Sequence, residues 1–497
     1  MTSLTYLDLA AIQRYVFASN RLRDVVAAAE AVDDLLSPDS LLAVGVTPER
    51  VVFSGGGNSM FISENSATAR SAVLALSRRI VESGAALRVH VAHTEDDGDD
   101  WQRMHNDVME GIALAKAEGG FGSPPCGFGV TEVCSETGAP ATAMSRLGPD
   151  DEPVPVSADI AMRRRRHADR RQREKQLFGE LRQPSELDQL GRSFGDTSLL
   201  GVVHIDLNGL GASLARQTTK EGLTVLSHQV DNLLRGAVGS LIEHAESAVD
   251  RLDQQLRLAR GDSISLFADS DGICLPLRVV LAAGDDLTFV CDGRLAIGFA
   301  DHVLRFIRST TLEQAGGPAG AAAGIAITQV HTPFSRAYAL AEHLCRNAKT
   351  KVAIESPHQP GWALDWLYDP NAASTDDARD AHRTCRPYVL TPPGRDPVWP
   401  DWDWLVDSVL TSSDHHPSAL FGPYWATRRS ALHALLIAAE QGPAEVERVL
   451  TERRLMNSAS TPSWLPLVWG RPNEGLTGDI EDLFDLWNPL AAAEVTT

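Results

Sequence analysis

Lysine is almost missing from this chain of 497 residues. Lys116, Lys175, Lys220, Lys349 and Lys351 are all of it, and the other 40 basic residues are arginine. The bias reads as GC-rich coding rather than chemistry, but it marks any lysine that falls beside candidate acids. Cysteine is scarce too. Cys126, Cys134, Cys274, Cys291, Cys345 and Cys385 include no Cys-x-x-Cys pair, which excludes a disulfide scaffold and leaves reduced thiols and a cytoplasmic location as the expectation. No apolar run reaches the ~18 residues of a spanning helix, so no membrane partner is expected. Met1–Phe17 carries no basic leader ahead of an apolar stretch, so no secretory signal is expected either. Positive charge is short overall, with 45 basic against 66 acidic residues and a formal net charge of −21. A surface that acidic repels nucleic acid, so any nucleic-acid site must be local. The rest is ordinary for a folded protein, 43% hydrophobic and 22% charged, which excludes wholesale disorder. At ~150 residues per domain the length suggests about three domains.

Aromatic residues divide the chain. Nine of the ten tryptophans lie at or beyond Trp362, which implies a different core there. Leu432, Leu435, Leu436, Val446 and Val449 share one helical face in a periodic run from Ser430 to about Arg454. Residues 361–497 are therefore expected to form a separate, mostly helical domain. Glycines and prolines at Gly119-Gly120, Gly122 and Pro124-Pro125 open a linker or insert over 116–195. Within it, Arg163 to Lys175 holds eight basic and two acidic residues, a local net of +6. Two readings stay open for this segment: a solvated helix or linker, or a patch for RNA, nucleotide phosphates or an acidic partner.

The two remaining stretches, 1–115 and 196–360, resemble each other. Tyr6-Leu7-Asp8-Leu9 and His204-Ile205-Asp206-Leu207 are short apolar runs interrupted by one aspartate. A helical stretch follows each. Val51 to Ile62 and Val279 to Val290 then read as strand, tight turn, strand. Amphipathic helices over about Ala67–Ser83 and Ala296–Ser309 come next, then strands at Leu87–His93 and Ala323–Gln329. Strand, helix, hairpin, helix, strand is the order of a ferredoxin-like split βαβ sheet. The expected fold class is α+β: two such domains as an intramolecular pseudo-dimer, plus the helical C-terminal part.

In that topology Asp206 projects near the hairpin turn that carries Asp285 and Asp286. Three converging carboxylates repel unless a cation neutralises them. Oxygen ligands suit Mg²⁺ or Mn²⁺, and two such ions can clamp the attacking and leaving oxygens of a phosphoryl or nucleotidyl transfer. Gly284 lets the turn take a conformation closed to other residues and lets a phosphate approach the backbone. An isolated Gly-Asp-Asp is more often plain turn chemistry; the flanking apolar strands and the earlier aspartate favour metal. The first copy keeps Asp8 but has Gly57 and Asn58 where the second has Asp285 and Asp286. It is either structural, or its turn of Gly55, Gly56, Gly57 and Asn58 lines a nucleotide pocket across the pseudo-dimer, with backbone N–H groups facing phosphates.

Several of these runs resemble the palm-domain large subunit of type III CRISPR effector complexes, a nucleotide-cyclase family related to the GGDEF cyclases. In the first copy these are Asp8, Ile12-Gln13-Arg14-Tyr15-Val16-Phe17, then Asn20, Leu22 and Arg23, and the hairpin Ser54-Gly55-Gly56-Gly57-Asn58. In the second they are Asp206-Leu207-Asn208-Gly209-Leu210-Gly211, Leu275-Pro276-Leu277-Arg278 and Ala283-Gly284-Asp285-Asp286. The likeness covers about 1–115 and 196–355. Ala283 departs from the family's Gly-Gly-Asp-Asp. No HD nuclease domain is expected ahead of the first palm, and only Cys126 and Cys134 occupy the place of the family's four-cysteine zinc module. The chain looks like a stand-alone or defence-associated relative. The resemblance implies that NTPs, with ATP first, are joined into a cyclic nucleotide second messenger for antiviral defence, with an effector downstream. It implies Asp206 and Asp285 as principal metal ligands, Asp286 as a second or water-mediated one, and the carbonyl of Leu207 as an added one. Lys349 and Lys351, after a helix Arg336–Asn347, would bind the triphosphate. The alternatives from other classes are a non-catalytic scaffold that binds RNA or a CRISPR complex, and an NTP sensor without turnover.

Overall fold

A computed structural model describes residues 2–85, 87–96, 100–119, 129–146, 152–178, 181–190, 199–259, 261–357, 359–369, 385–411, 420–421, 423–426, 428–455 and 476–491. The first copy runs β1 (Thr2–Ala10), α1 (Leu22–Leu35), β2 (Val51–Gly55), β3 (Asn58–Ser63), α2 (Ser66–Glu82), β4 (Arg88–Asp96) and α3 (Trp101–Ala117). Its sheet order is β2-β3-β1-β4, antiparallel throughout. After α4 (Ala158–Phe178), the second copy runs β5 (Leu199–Asn208), α5 (Lys220–Ser247), β6 (Leu277–Ala283), β7 (Asp286–Asp292), α6 (Ala296–Ser309), β8 (Gly320–Gln329) and α7 (Phe334–Glu355). Its strands pair in the same order, β6-β7-β5-β8. The fold is α+β with two ferredoxin-like sheets, as the repeat implies.

Alternation along β5 distributes its side chains. Val203, Ile205 and Leu207 enter a core with α5 and α6, while Leu200 and Val202 enter one with α7. The latter core is continuous with Leu7, Leu9 and the apolar faces of α1 and α2, so the two copies share buried apolar surface. Phe17 of the first copy stacks on Tyr338 of the second at 3.8 Å between ring centroids and tilts against Phe334 at 5.4 Å.

The tryptophan border at residue 361 does not separate two cores. β9 (Trp362–Tyr368) pairs parallel with β8, and β10 (Tyr388–Val389) pairs with β9, so the second sheet continues into the last third. Trp362, Trp366, Trp402, Trp425 and Trp487 join the cluster that contains Val203, Ile205 and Leu207. Large apolar rings need a broad partner, and the open edge of β8 supplies one. The helical run expected from Ser430 is two helices, α8 (Arg429–Gln441) and α9 (Pro443–Glu452), because Gly442 takes φ 112° and Pro443 starts a new first turn. Helix α10 (Leu476–Leu486) is pinned to the sheet by Asp479, which pairs with Arg386 at 2.8 Å and accepts from the Tyr388 hydroxyl at 2.8 Å.

The basic segment lies on α4, and four of its charges are paired within the chain. Arg163 on α4 is fully buried; it pairs with Asp159 at 2.7 Å, donates to the Tyr15 carbonyl at 2.8 Å and lies over the Tyr15 ring. Arg164 faces Glu136 at 3.4 Å, while Arg166 and Arg170 pair with Asp34 and Glu30 of α1. Arg166 and Arg170 thereby tie α4 to acids of the first copy, while Arg165 is exposed. The side chains of Arg171, Arg173 and Lys175 lie outside the described residues, as do Gly120, Gly122, Pro124-Pro125 and Cys126. Among the described residues no helix is long and apolar enough to cross a membrane.

Candidate active site

The site is built on β5, β7 and α7. Asp206 near the end of β5 stands in register with Asp286 at the start of β7. Equivalent pairing in the first copy sets Asp8 opposite Asn58. Leu207 donates its N–H to the Asp285 carbonyl at 3.0 Å, just as Leu9 donates to the Gly57 carbonyl at 2.8 Å, so the two turns close identically. His204, two residues before Asp206, projects from the same face. His204, Asp206 and Asp286 bring a ring nitrogen and two carboxylates within 4.8 Å of one another, the one such metal-capable group among the described residues. Asp285 lies exposed on the turn outside this group.

Electrostatics shows which ligand the trio suits. Burial, with the charges of Asp206 and Asp285 beside it, pushes Asp286 up to about 7. Burial raises Asp206 as well, against the pull of Lys349. One oxygen of Asp206, Oδ1, is buried with no hydrogen-bond partner. Burial, helped by Lys349, holds His204 down to about 4, so its ring is neutral near pH 7. Clustered acids that cannot all ionise, beside a neutral nitrogen donor and an unsatisfied oxygen, fit a divalent cation.

Helix α7 covers the trio. It runs to Glu355, past the expected end at Asn347, since no glycine or proline interrupts it before Pro357. Lys349 therefore lies on the helix, ion-paired with Asp206. Lys351 points elsewhere and pairs with Glu355 at 2.7 Å. The close approach of α7 depends on Gly324 in β8, where a Cβ would lie 2.0 Å from the Ala341 carbonyl oxygen. In the first copy, Lys116 at the same position along α3 pairs with Asp8 at 2.8 Å. Thus Tyr6, Asp8, Asn58 and Lys116 occupy the places of His204, Asp206, Asp286 and Lys349.

The glycine turn of the first copy faces the turn of the second across the pseudo-dimer. Gly56, at φ 62°, abuts the second turn: a Cβ there would sit 2.9 Å from the Gly284 nitrogen. Gly57 faces the core, where a Cβ would meet Ile12 Cδ1 at 2.4 Å. Only Gly55 has nothing within 4 Å. Asn58 accepts from the Tyr6 hydroxyl at 3.3 Å. Sequence reasoning missed His204, although its spacing of two from Asp206 placed it on the same strand face.

Solved structures share the fold that carries these residues. A chain of the Csm1–Csm4 cassette crystallised with AMPPNP superposes with a TM-score of 0.57 at 14% identity, covering 98% of this chain and 69% of that one. The chain has a Csm1-like fold. The same cassette with cA3 matches with a TM-score of 0.55 at 14% identity over 96% of this chain and 69% of that one. Csm1 from T. onnurineus matches with a TM-score of 0.55 at 14% identity over 97% and 68%. No protein-family model and no curated protein matches the sequence.

Proposed function

We propose that this chain is a metal-dependent nucleotidyltransferase of the type III CRISPR palm kind, joining NTPs, ATP first, into a cyclic nucleotide messenger for antiviral defence. The observation that carries the reading is the in-register facing of Asp206 and Asp286 beneath Lys349. The Csm1-like fold supports it, since Csm1–Csm4 cassettes have been crystallised with ATP, AMPPNP and cA3. Asp206 and Asp286, with Asp285 and the Leu207 carbonyl at the turn, would hold Mg²⁺ or Mn²⁺. Such an ion would acidify an attacking 3′-hydroxyl and neutralise charge at the α-phosphate. Lys349 would leave Asp206 for the triphosphate once the carboxylates are neutralised, acting as a point charge on phosphate. Gly284, at φ 67°, lets the turn take the left-handed conformation that seats Asp285 and Asp286, against Gly56 of the other copy.

Incubation of the protein with each labelled NTP and Mg²⁺ or Mn²⁺, followed by mass analysis, tests the reading. A cyclic or linear oligonucleotide formed by the wild type and lost in Asp206→Asn and Asp286→Asn is the expected result. NTP binding without any product in either metal would leave the sensor reading in its place.

A further inference from the structure

We propose that His204 is a protein ligand of the bound cation, giving a mixed nitrogen and oxygen site that prefers Mn²⁺ to Mg²⁺. The inference rests on the metal-site reading above and specifies which ion class it takes. His204 is 3% exposed, so its imidazole has no solvent to satisfy it. One ring nitrogen, Nδ1, lies 3.0 Å from the buried hydroxyl of Thr288, its in-register neighbour on β7. The other, Nε2, faces Asp286 Oδ1 at 3.8 Å, beyond hydrogen-bond reach, inside the carboxylate group. In the tautomer that donates its Nδ1 proton to Thr288, the Nε2 lone pair is directed at the acids. A ring nitrogen held by an oxygen while the other faces a cation is the usual orientation of a ligating histidine. Tyr338 closes the remaining side of the ring, edge to face at 5.5 Å.

The other copy supplies an internal comparison. There the second carboxylate is Asn58 and the histidine position is Tyr6, and these two satisfy each other by a hydrogen bond of 3.3 Å. The lone Asp8 is neutralised by Lys116. Histidine and second carboxylate are thus present together in one copy and absent together in the other, as expected if both serve one ion. Mg²⁺ demands oxygen ligands and keeps its waters, whereas Mn²⁺ accepts imidazole more readily.

Pulsed electron paramagnetic resonance of Mn²⁺ on the full chain tests this without a mutation. The expected result is a nitrogen hyperfine coupling that changes when the histidines carry heavy nitrogen. Titration calorimetry should show a Mn²⁺ over Mg²⁺ preference that falls at least about tenfold in His204→Asn and weakens in Thr288→Val, which frees the ring. Mn²⁺ binding with no nitrogen coupling, or a preference unchanged in both variants, overturns the assignment alone. Absence of any Mn²⁺ binding by the wild type, with or without AMPPNP, overturns both the assignment and the nucleotidyl-transfer reading.

Discussion

Replacing Gly324 by alanine should damage both the fold and the cation site, although the residue contributes no side chain to that site. Gly324 lies in β8 in register with His204, and α7 crosses directly above it. A Cβ at this position would sit 2.0 Å from the Ala341 carbonyl oxygen and 2.2 Å from the Cys345 nitrogen. Both are helix backbone, so no side chain can swing aside. Restoring an ordinary contact of 3.4 Å moves the helix by at least about 1.4 Å in a close-packed core. Overpacking of this kind costs ~1–3 kcal/mol, and a rigid neighbour puts the cost at about 3 kcal/mol or more. Lys349 lies about two turns beyond Ala341, so the shift also carries its ammonium away from Asp206. Urea unfolding of wild type and Gly324→Ala measures the first effect, and Mn²⁺–NTP titration of the folded variant measures the second. A loss of stability below ~1 kcal/mol with unchanged NTP affinity would refute the claim that this contact seats the helix.

Arg163→Ala should cost ~3–5 kcal/mol in unfolding experiments, because it strands the buried Asp159 carboxylate and the Tyr15 carbonyl, while leaving any RNA affinity where it was. Lys349→Ala should lose about 1.5–3 kcal/mol of NTP binding yet tighten binding of Mn²⁺ alone by removing a competing charge. Lys351→Ala should change neither, and equal effects of the two variants would place phosphate elsewhere on the helix. Asp286, raised in the fold to about 7 from an ordinary 3.8, binds its proton more tightly in the folded chain. The stability it contributes in acid is therefore lost as pH rises through that window. The metal-free unfolding temperature should fall across the window in the wild type more than in Asp286→Asn, and saturating Mn²⁺ should oppose the fall. Superimposable pH profiles for the two proteins would remove Asp286 from the coupled acids.

By itself, the sequence determined the repeated architecture and its acids. Strand, helix, hairpin, helix, strand is written in local periodicity and turn residues, and two runs such as Leu7-Asp8-Leu9 and Ile205-Asp206-Leu207 announce a buried strand that ends in a carboxylate. The hairpin around Gly284 was legible because glycine and aspartate punctuate it. Tertiary structure decided what each face meets. Periodicity placed His204 beside Asp206, but only the packing of Thr288 and Tyr338 around the ring gives that nitrogen a direction. Eight basic residues from Arg163 to Lys175 read as a local charge, and the pairing of two of them with Asp34 and Glu30 of α1, far away in the chain, is visible only in the fold. The tryptophans signalled a core without saying that the edge of β8 would be its other half. Spacing along a chain fixes which way a side chain points, whereas its partner comes from a segment that the spacing does not encode.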